Sequence, residues 1–257
     1  MRPLFLVFLL LLMGAMGGCA TDRGSTPSDA AVPRAEPDQA LGPFSAHPPG
    51  GLPPAWQPLI ITRAKKPTEY RLVADAGVTV LHAHAAASAS LLMHALDLDP
   101  DQQPWLTWKW KVDRHIKGAD NRYRDTEDAP VRIVLAFDGD KDDLPFSEQI
   151  LFETGRLVTG RELPYATLMY IWEKKAPVGS VIAHTRTGQL KMVVAASGPR
   201  GLGQWRQLSR NFVDDYRRAF GKKPGRLIGI GVMSDTDNTG DTVDAWYGDI
   251  RLSQQQK

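Results

Sequence analysis

The sequence predicts a mainly β fold, a two-sheet sandwich of jelly-roll type with one short helix near residues 209–220. Three observations predict it. From Trp56 onward apolar residues recur with a period of two, the spacing of side chains on one face of a strand. Eleven short runs of this kind follow at near-regular intervals, punctuated by Gly, Pro, Asn and Asp, as in a sandwich or barrel. One stretch alone has helical spacing: Phe212, Tyr216 and Phe220 recur every four residues and Gly221 supplies a C-cap.

Arg2 precedes an apolar run from Leu4 to Met13, the build of a secretory signal. Ten residues rise only ~15 Å as a helix, about half the hydrocarbon thickness, so this run does not span a bilayer. Met16-Gly17-Gly18-Cys19 ends in the only cysteine of the chain and resembles the bacterial lipobox, departing from it at Met16, where leucine is preferred. The resemblance implies a signal peptide over residues 1–18 and an acyl chain on Cys19. Ala20 stands where an aspartate would signal inner-membrane retention, so the implied address is the outer membrane, facing the periplasm. Residues 20–54 hold 8 of the 19 prolines and no tryptophan. With few large apolar side chains to offset the entropy of ordering, residues 19–54 read as an acylated, disordered tether.

The remaining 203 residues, 55–257, suffice for one core and one domain. Strands are expected at 69–73, 78–85, 88–98, 106–112, 131–137, 149–152, 168–172, 180–183, 189–197, 226–234 and 244–252. The clearest is 106–112, where Leu106, Trp108, Trp110 and Val112 share one face and Thr107, Lys109 and Lys111 the other.

Several motifs fall in a recognisable order: Trp108-x-Trp110-x-Val112, Asp128-Ala129-Pro130-x-Arg132, Tyr170-x-Trp172, and Trp205 ahead of Arg210-Asn211 and Asp214-Asp215-Tyr216. Ser234-Asp235-Thr236-Asp237-Asn238-Thr239-Gly240 and Tyr247-Gly248-Asp249-Ile250 complete it. Together, over residues 56–254, they resemble a family of exported bacterial proteins known as a domain of unknown function. The strand pattern is also similar to galactose-binding and carbohydrate-binding-module jelly rolls, which implies glycan binding by analogy of fold alone.

Composition excludes several classes. A formal charge of +2 supplies no basic face for nucleic acid. One cysteine allows no disulfide framework. There is no Gly-x-Ser-x-Gly elbow, His-Glu-x-x-His or phosphate-cradling glycine loop.

The turn at 235–241 alternates carboxylate and amide oxygens, with glycine sixth, like the start of a calcium loop. Asp235, Asp237, Asn238 and Asp241 are the candidate ligands, although Trp246 stands where a bidentate glutamate would complete the motif. The alternative is a hairpin whose Asp, Asn and Gly residues cap their own backbone. No other cofactor is suggested. The acidic turn at 138–143 has its glycine at the second position and none at the sixth, where the motif needs it. His82 and His84 share a strand face and could join His94 as nitrogen ligands. Asp128, Glu153, Asp214, Asp215 and Asp235 are the carboxylates from which a hydrolase pair would be drawn.

The loop aromatics Trp105, Trp172, Trp205, Tyr123, Tyr165 and Tyr247 could stack on sugar rings, whereas Trp108, Trp110 and Trp246 read as core. The candidate ligand contacts are therefore Trp172, Trp205 and Tyr247, with Asp128, Arg132, Asn211 and Asp215 as hydrogen-bonding groups. The expected protein is a lipid-anchored, non-enzymatic module of the cell envelope that binds a glycan or envelope polymer. Two alternatives stay open: a polysaccharide hydrolase using paired carboxylates, and a scaffold within an envelope complex, marked by an exposed apolar patch.

Overall fold

The computed structural model describes residues 39–62, 64–159 and 162–256. The expected signal peptide, Cys19 and the expected tether up to residue 38 lie outside the described residues. Fourteen strands form among those described: β1 Gln39–Ala40, β2 Gln57–Leu59, β3 Glu69–Asp75, β4 Val78–Ala86, β5 Ala89–Leu98, β6 Trp105–Val112 and β7 Arg132–Phe137. The rest are β8 Ala166–Glu173, β9 Val181–Ala183, β10 Leu190–Ser197, β11 Arg206–Asn211, β12 Leu227–Asp235, β13 Thr242–Tyr247 and β14 Arg251–Ser253. Two α-helices, α1 Phe146–Thr159 and α2 Phe212–Phe220, interrupt them.

The strands pair into two seven-stranded sheets, as a sandwich requires. In sheet A the order is β1-β14-β6-β13-β4-β3, and β11 covers the other edge of β6. In sheet B it is β2-β5-β12-β7-β8-β10-β9, antiparallel except for β8 and β10. Alternation does the sorting: Leu106, Trp108, Trp110 and Val112 of β6 are fully buried, while the residues between them are half-exposed. Facing them across the sandwich, Tyr170 of β8 stacks on Trp108 at 5.0 Å and Trp172 on Trp110 at 6.5 Å. These rings, with Phe137, Phe212 and Tyr216, fill the space between the sheets.

Four expectations are corrected. Residues 149–152 form no strand but the middle of α1, because a four-residue apolar run cannot separate the two periods. Its flanks supply helix formers, and Phe152 faces inward one turn after Glu148. The fold therefore has a second helix. The expected strand at 244–252 is two strands, β13 and β14, that share one edge of β6. Gly248 breaks it: its N–H donates to Lys109 O at 2.9 Å, and a Cβ there would sit 2.2 Å from the Lys109 side chain. Thirdly, the folded unit begins before residue 55. β1 pairs with β14, Leu41 and Phe44 are buried, and Trp56 Nε1 donates to Gly42 O at 2.9 Å. Each buried apolar side chain of that size contributes about 1.5–3 kcal/mol, enough to hold a proline-rich segment in place. Finally, strand β11 was not expected. Arg-Gln-Leu-Ser-Arg-Asn has no apolar alternation, since it lies at an edge and buries little.

The helix expected at 209–220 is found as α2. Asn211 Oδ1 accepts from the N–H groups of Val213 and Asp214, and Gly221 closes the other end at φ +73° with its N–H on Arg217 O.

Candidate functional site

Because Ile133, Leu135 and Phe137 of β7 point between the sheets, Arg132, Val134 and Ala136 must point outward. The same parity on neighbouring strands brings Leu91 and Met93, Met233, Met169 and Ile171, Met192 and Val194, and Ile182 to this outer face of sheet B. The result is a second apolar cluster, separate from the main core and rich in methionine. Gly231 leaves room for it, since a Cβ there would lie 2.2 Å from Met93 Sδ.

Arg132 crosses this face almost fully buried. Its Nε donates to Asp235 Oδ1 at 2.7 Å and its Nη2 to Oδ2 at 2.9 Å. Nη2 also reaches Glu127 O at 3.1 Å, and Nη1 lies 3.1 Å from Met192 Sδ. Burial pushes the Asp235 carboxyl up to about 6 against the pull of Arg132.

Asp128 accepts from Asn238 N, Thr239 N and Thr239 Oγ1 at 3.2, 2.7 and 2.7 Å. Asp237 pairs with Lys65 at 2.6 Å. The carboxylates of Asp128, Asp235 and Asp237 thus come within 4.8 Å of one another. The four ligands expected for calcium do not converge, however. Asp241 is held by Arg114 at 3.0 Å, and Asn238 Nδ2 donates to Arg124 O at 2.8 Å. The three grouped carboxylates already take Arg132, Lys65 and backbone amides. The turn therefore caps itself, as its Asp, Asn and Gly content allows.

On the same side, Glu127 and His184 lie 3.6 Å apart. Burial raises the Glu127 carboxyl. Burial, then Arg132 and Arg186, depress His184 to about 4, so its imidazole is neutral at pH 7.

At the rim, beside the edge strand β9, a depression of about 520 Å³ is lined by Arg122, Lys175, Ala176, Pro177, Ser180, Val181, Ile182 and Ala183. Its size falls in the range of ligand sites. Arg122 grips Asp120 through Nε and Nη2 at 2.9 and 2.7 Å, lies over the Tyr123 ring at 5.6 Å, and with Lys175 holds the Asp120 carboxyl below the usual carboxylate range. Tyr123 is 61% exposed. Two cations, a hydroxyl and an apolar wall thus meet in one open space.

The outer face of sheet A carries the other aromatic feature. Lys111 Nζ sits 4.4 Å from the Trp246 ring and 5.3 Å from that of Trp205, while Lys111 and Trp205 Nε1 share Asp75 Oδ2. Trp246, expected in the core, points outward here. His82 Nε2 and His84 Nδ1 both lie on Asp244 Oδ1, at 2.8 and 2.9 Å, beside a depression of about 390 Å³. His94 is on the other sheet, at Ala55 O and the Trp56 ring. The histidine trio is not brought together.

Of the expected ligand contacts, Trp172 and Tyr247 are corrected to core residues. Trp172 Nε1 donates to Gly198 O, and the Tyr247 hydroxyl donates to Met233 O at 2.6 Å and lies 2.9 Å from Ser234 Oγ. Asn211 caps α2. Asp215 is buried against Arg210, Arg218 and Tyr170. Trp205 lies on sheet A, and only Asp128 and Arg132 reach the outer side of sheet B. The hydrolase carboxylates share no cleft: Asp214 pairs with Arg217, Glu153 with Arg156 on α1, and the other three are enclosed as described. Lys175, Ser180, Glu127 and His184 had no sequence signal, because none sits in a motif and the pairings of Arg122 with Lys175 and of Glu127 with His184 are made only in space.

A family model described as "Protein of unknown function (DUF3047)" matches residues 54–251. No curated protein matches the sequence. Among solved structures, the chain is similar to the family 11 carbohydrate-binding module of the cellulosomal cellulase Lic26A-Cel5E of Clostridium thermocellum. Identity is 10%, the TM-score is 0.42, and 84% of this chain and 94% of that one are covered. A complex of the Clostridium thermocellum module with a β-1,3-1,4-mixed-linked tetrasaccharide is similar at 8% identity and TM-score 0.38, over 79% and 90% of the two chains. The cellulose induced protein Cip1 is similar at 12% identity and TM-score 0.31, over 78% and 91%.

Proposed function

The chain belongs to the DUF3047 family, and we propose that it is a lipid-anchored, non-enzymatic module of the cell envelope that binds a glycan or envelope polymer in the depression beside β9. The observation that carries this reading is the meeting of Arg122, Lys175 and Ser180 with the apolar wall of Pro177, Val181 and Ile182. Guanidinium and ammonium groups recognise carboxylate or phosphate substituents. A hydroxyl serves sugar hydroxyls, and the apolar wall and the exposed Tyr123 ring suit the faces of sugar rings. The favoured ligand is an acidic polysaccharide. The lipobox-like Met16-Gly17-Gly18-Cys19 supports anchoring, and the burial of Asp128 and Asp235, the two candidate carboxylates that meet, against Arg132 and the Thr239 amide and hydroxyl supports binding without hydrolysis.

Pull-down on polygalacturonate, peptidoglycan and a neutral β-glucan tests this. The acidic polymers should retain the protein, and Lys175→Glu should weaken retention at least about tenfold by reversing an exposed charge. Equal retention on the neutral glucan, or none of the Lys175→Glu effect, would overturn the assignment. Mass spectrometry of the mature N-terminus tests the anchor; a free Cys19 thiol refutes it.

A further inference from the structure

Helix α1 exposes an apolar stripe. Phe146 is 75% exposed, Ile150 51% and Leu157 77%; at 100° per residue they fall within about 40° of one another on the helix surface. The opposite side docks the helix to the domain. Glu148 accepts from Thr187 Oγ1 and Gly188 N at 2.6 and 2.7 Å, Phe152 is buried, and Gly155 passes so close to Leu163 that a Cβ would meet it at 2.5 Å. The stripe therefore points away from everything described.

Strand register tells which end of the sandwich this is. Gln39 of β1 lies opposite Leu252 of β14, and Leu252 opposite Leu106 of β6. Asn211 lies opposite Trp105, the next residue of β6, and Phe212 packs at 6.2 Å on Phe137, the last residue of β7 before α1. The chain that precedes Gln39 thus enters at the end of the sandwich that bears α1. Nineteen residues lie between Cys19 and Gln39, which at full extension span at most about 70 Å.

We infer that the apolar face of α1 docks on the lipid surface, as a second and non-covalent membrane contact. The inference rests on the proposed acylation of Cys19, which would hold this end of the domain near the bilayer. Phe146, Ile150 and Leu157 suit the boundary between headgroups and acyl chains. The basic groups alongside are already paired, Lys141 with Glu162 and Arg156 with Glu153, and Asp142 and Asp143 lie just before the helix. Contact is therefore driven by apolar burial and does not require anionic lipid. A second copy of the chain is the weaker occupant. Three such side chains expose at most roughly 400 Å², below the ~800 Å² per partner of a stable interface.

The test uses the chain from residue 19 carrying Cys19→Ser, so that no acyl chain contributes, with vesicles of phosphatidylcholine with and without phosphatidylglycerol. It should sediment with both. The triple variant Phe146→Ser/Ile150→Ser/Leu157→Ser should lose at least about tenfold in partitioning, with its melting temperature and its retention on acidic polymer unchanged. Vesicle binding that survives the triple variant, that needs phosphatidylglycerol, or that is absent from the parent overturns the inference, as does a parent dimer that the variant dissociates. A thiol-free, acylated Cys19 in the native protein together with a failed vesicle assay would sink this contact alone and leave the anchor standing.

Discussion

Asp235→Asn removes the charge that partners a guanidinium with nowhere else to go. Arg132 is 2% exposed and Asp235 3%, and two short hydrogen bonds join them. In the variant the guanidinium keeps the asparagine amide oxygen, Glu127 O and two thioether neighbours, Met169 and Met192, but loses its full counter-charge. Leaving a buried charge without its counter-charge costs about 3–5 kcal/mol, or roughly 10 °C in melting temperature for a domain of this size. Arg132→Met should cost less at pH 7, because without Arg132 the buried carboxyl rises further and takes up a proton instead of remaining charged. The double variant Arg132→Met/Asp235→Leu puts apolar atoms among Val134, Met169, Met192 and Met233 and should cost at least about 2 kcal/mol less than the sum of the single variants. Urea denaturation of the four proteins measures the cycle.

The pH dependence of that pair has a definite sign. Folded Asp235 holds its proton up to about 6, whereas an unfolded aspartate releases it near ~3.9. Between those values the folded chain binds more protons, so this group's contribution to stability falls as pH rises from about 4 to about 6. Asp235→Asn should abolish that slope. Additive single variants, or an unchanged slope, would refute the account of a buried pair held against its own desolvation.

Asp241 has the opposite sign. Arg114, then the backbone amides of Lys117 and Thr242, hold its carboxyl well below the usual carboxylate range. Its contribution is therefore fully present above about pH 4 and declines progressively as the pH falls toward the much lower folded value; Asp241→Asn should cost about 1 kcal/mol at pH 7, given the exposed pairing, and distinctly less, though not zero, at pH 2 in urea titrations. Asn211→Ala should destabilise by about 1 kcal/mol through loss of the α2 cap, with Asn211→Asp restoring it, as read by thermal melts. A chelator should leave the melting temperature unchanged, because the carboxylates of Asp128, Asp235 and Asp237 are matched by Arg132, Lys65 and amides; a downward shift would restore calcium to the acidic turn.

The sandwich was legible because a strand in it buries every second residue, and that parity is written in the chain. β6 and β7 read directly from Leu106-x-Trp108-x-Trp110 and from the apolar run at 131–137. α2 read from Phe212, Tyr216, Phe220 and Gly221. Strand β11 did not, since edge pairing needs backbone and not apolar side chains. α1 did not either, because its apolar residues lie on both faces: Phe152 inward, Phe146 and Ile150 outward. The aromatic candidates misled in a consistent way. A tryptophan before a turn looks the same in sequence whether its ring faces solvent or, like Trp172, another tryptophan.

What the sequence determined by itself was the two-sheet architecture, the acidic turn, the α2 helix with its C-cap at Gly221, and the expectation of export and acylation at Cys19. These follow from local periodicity, turn chemistry and composition, which act between near neighbours. Only the tertiary structure decided that Leu41 and Phe44 join the core, that Arg132 finds Asp235 103 residues away, and that Arg122 meets Lys175 beside β9. Those partners are chosen by sheet register and strand order, and a single chain carries no local signal of which of its charges will share a face.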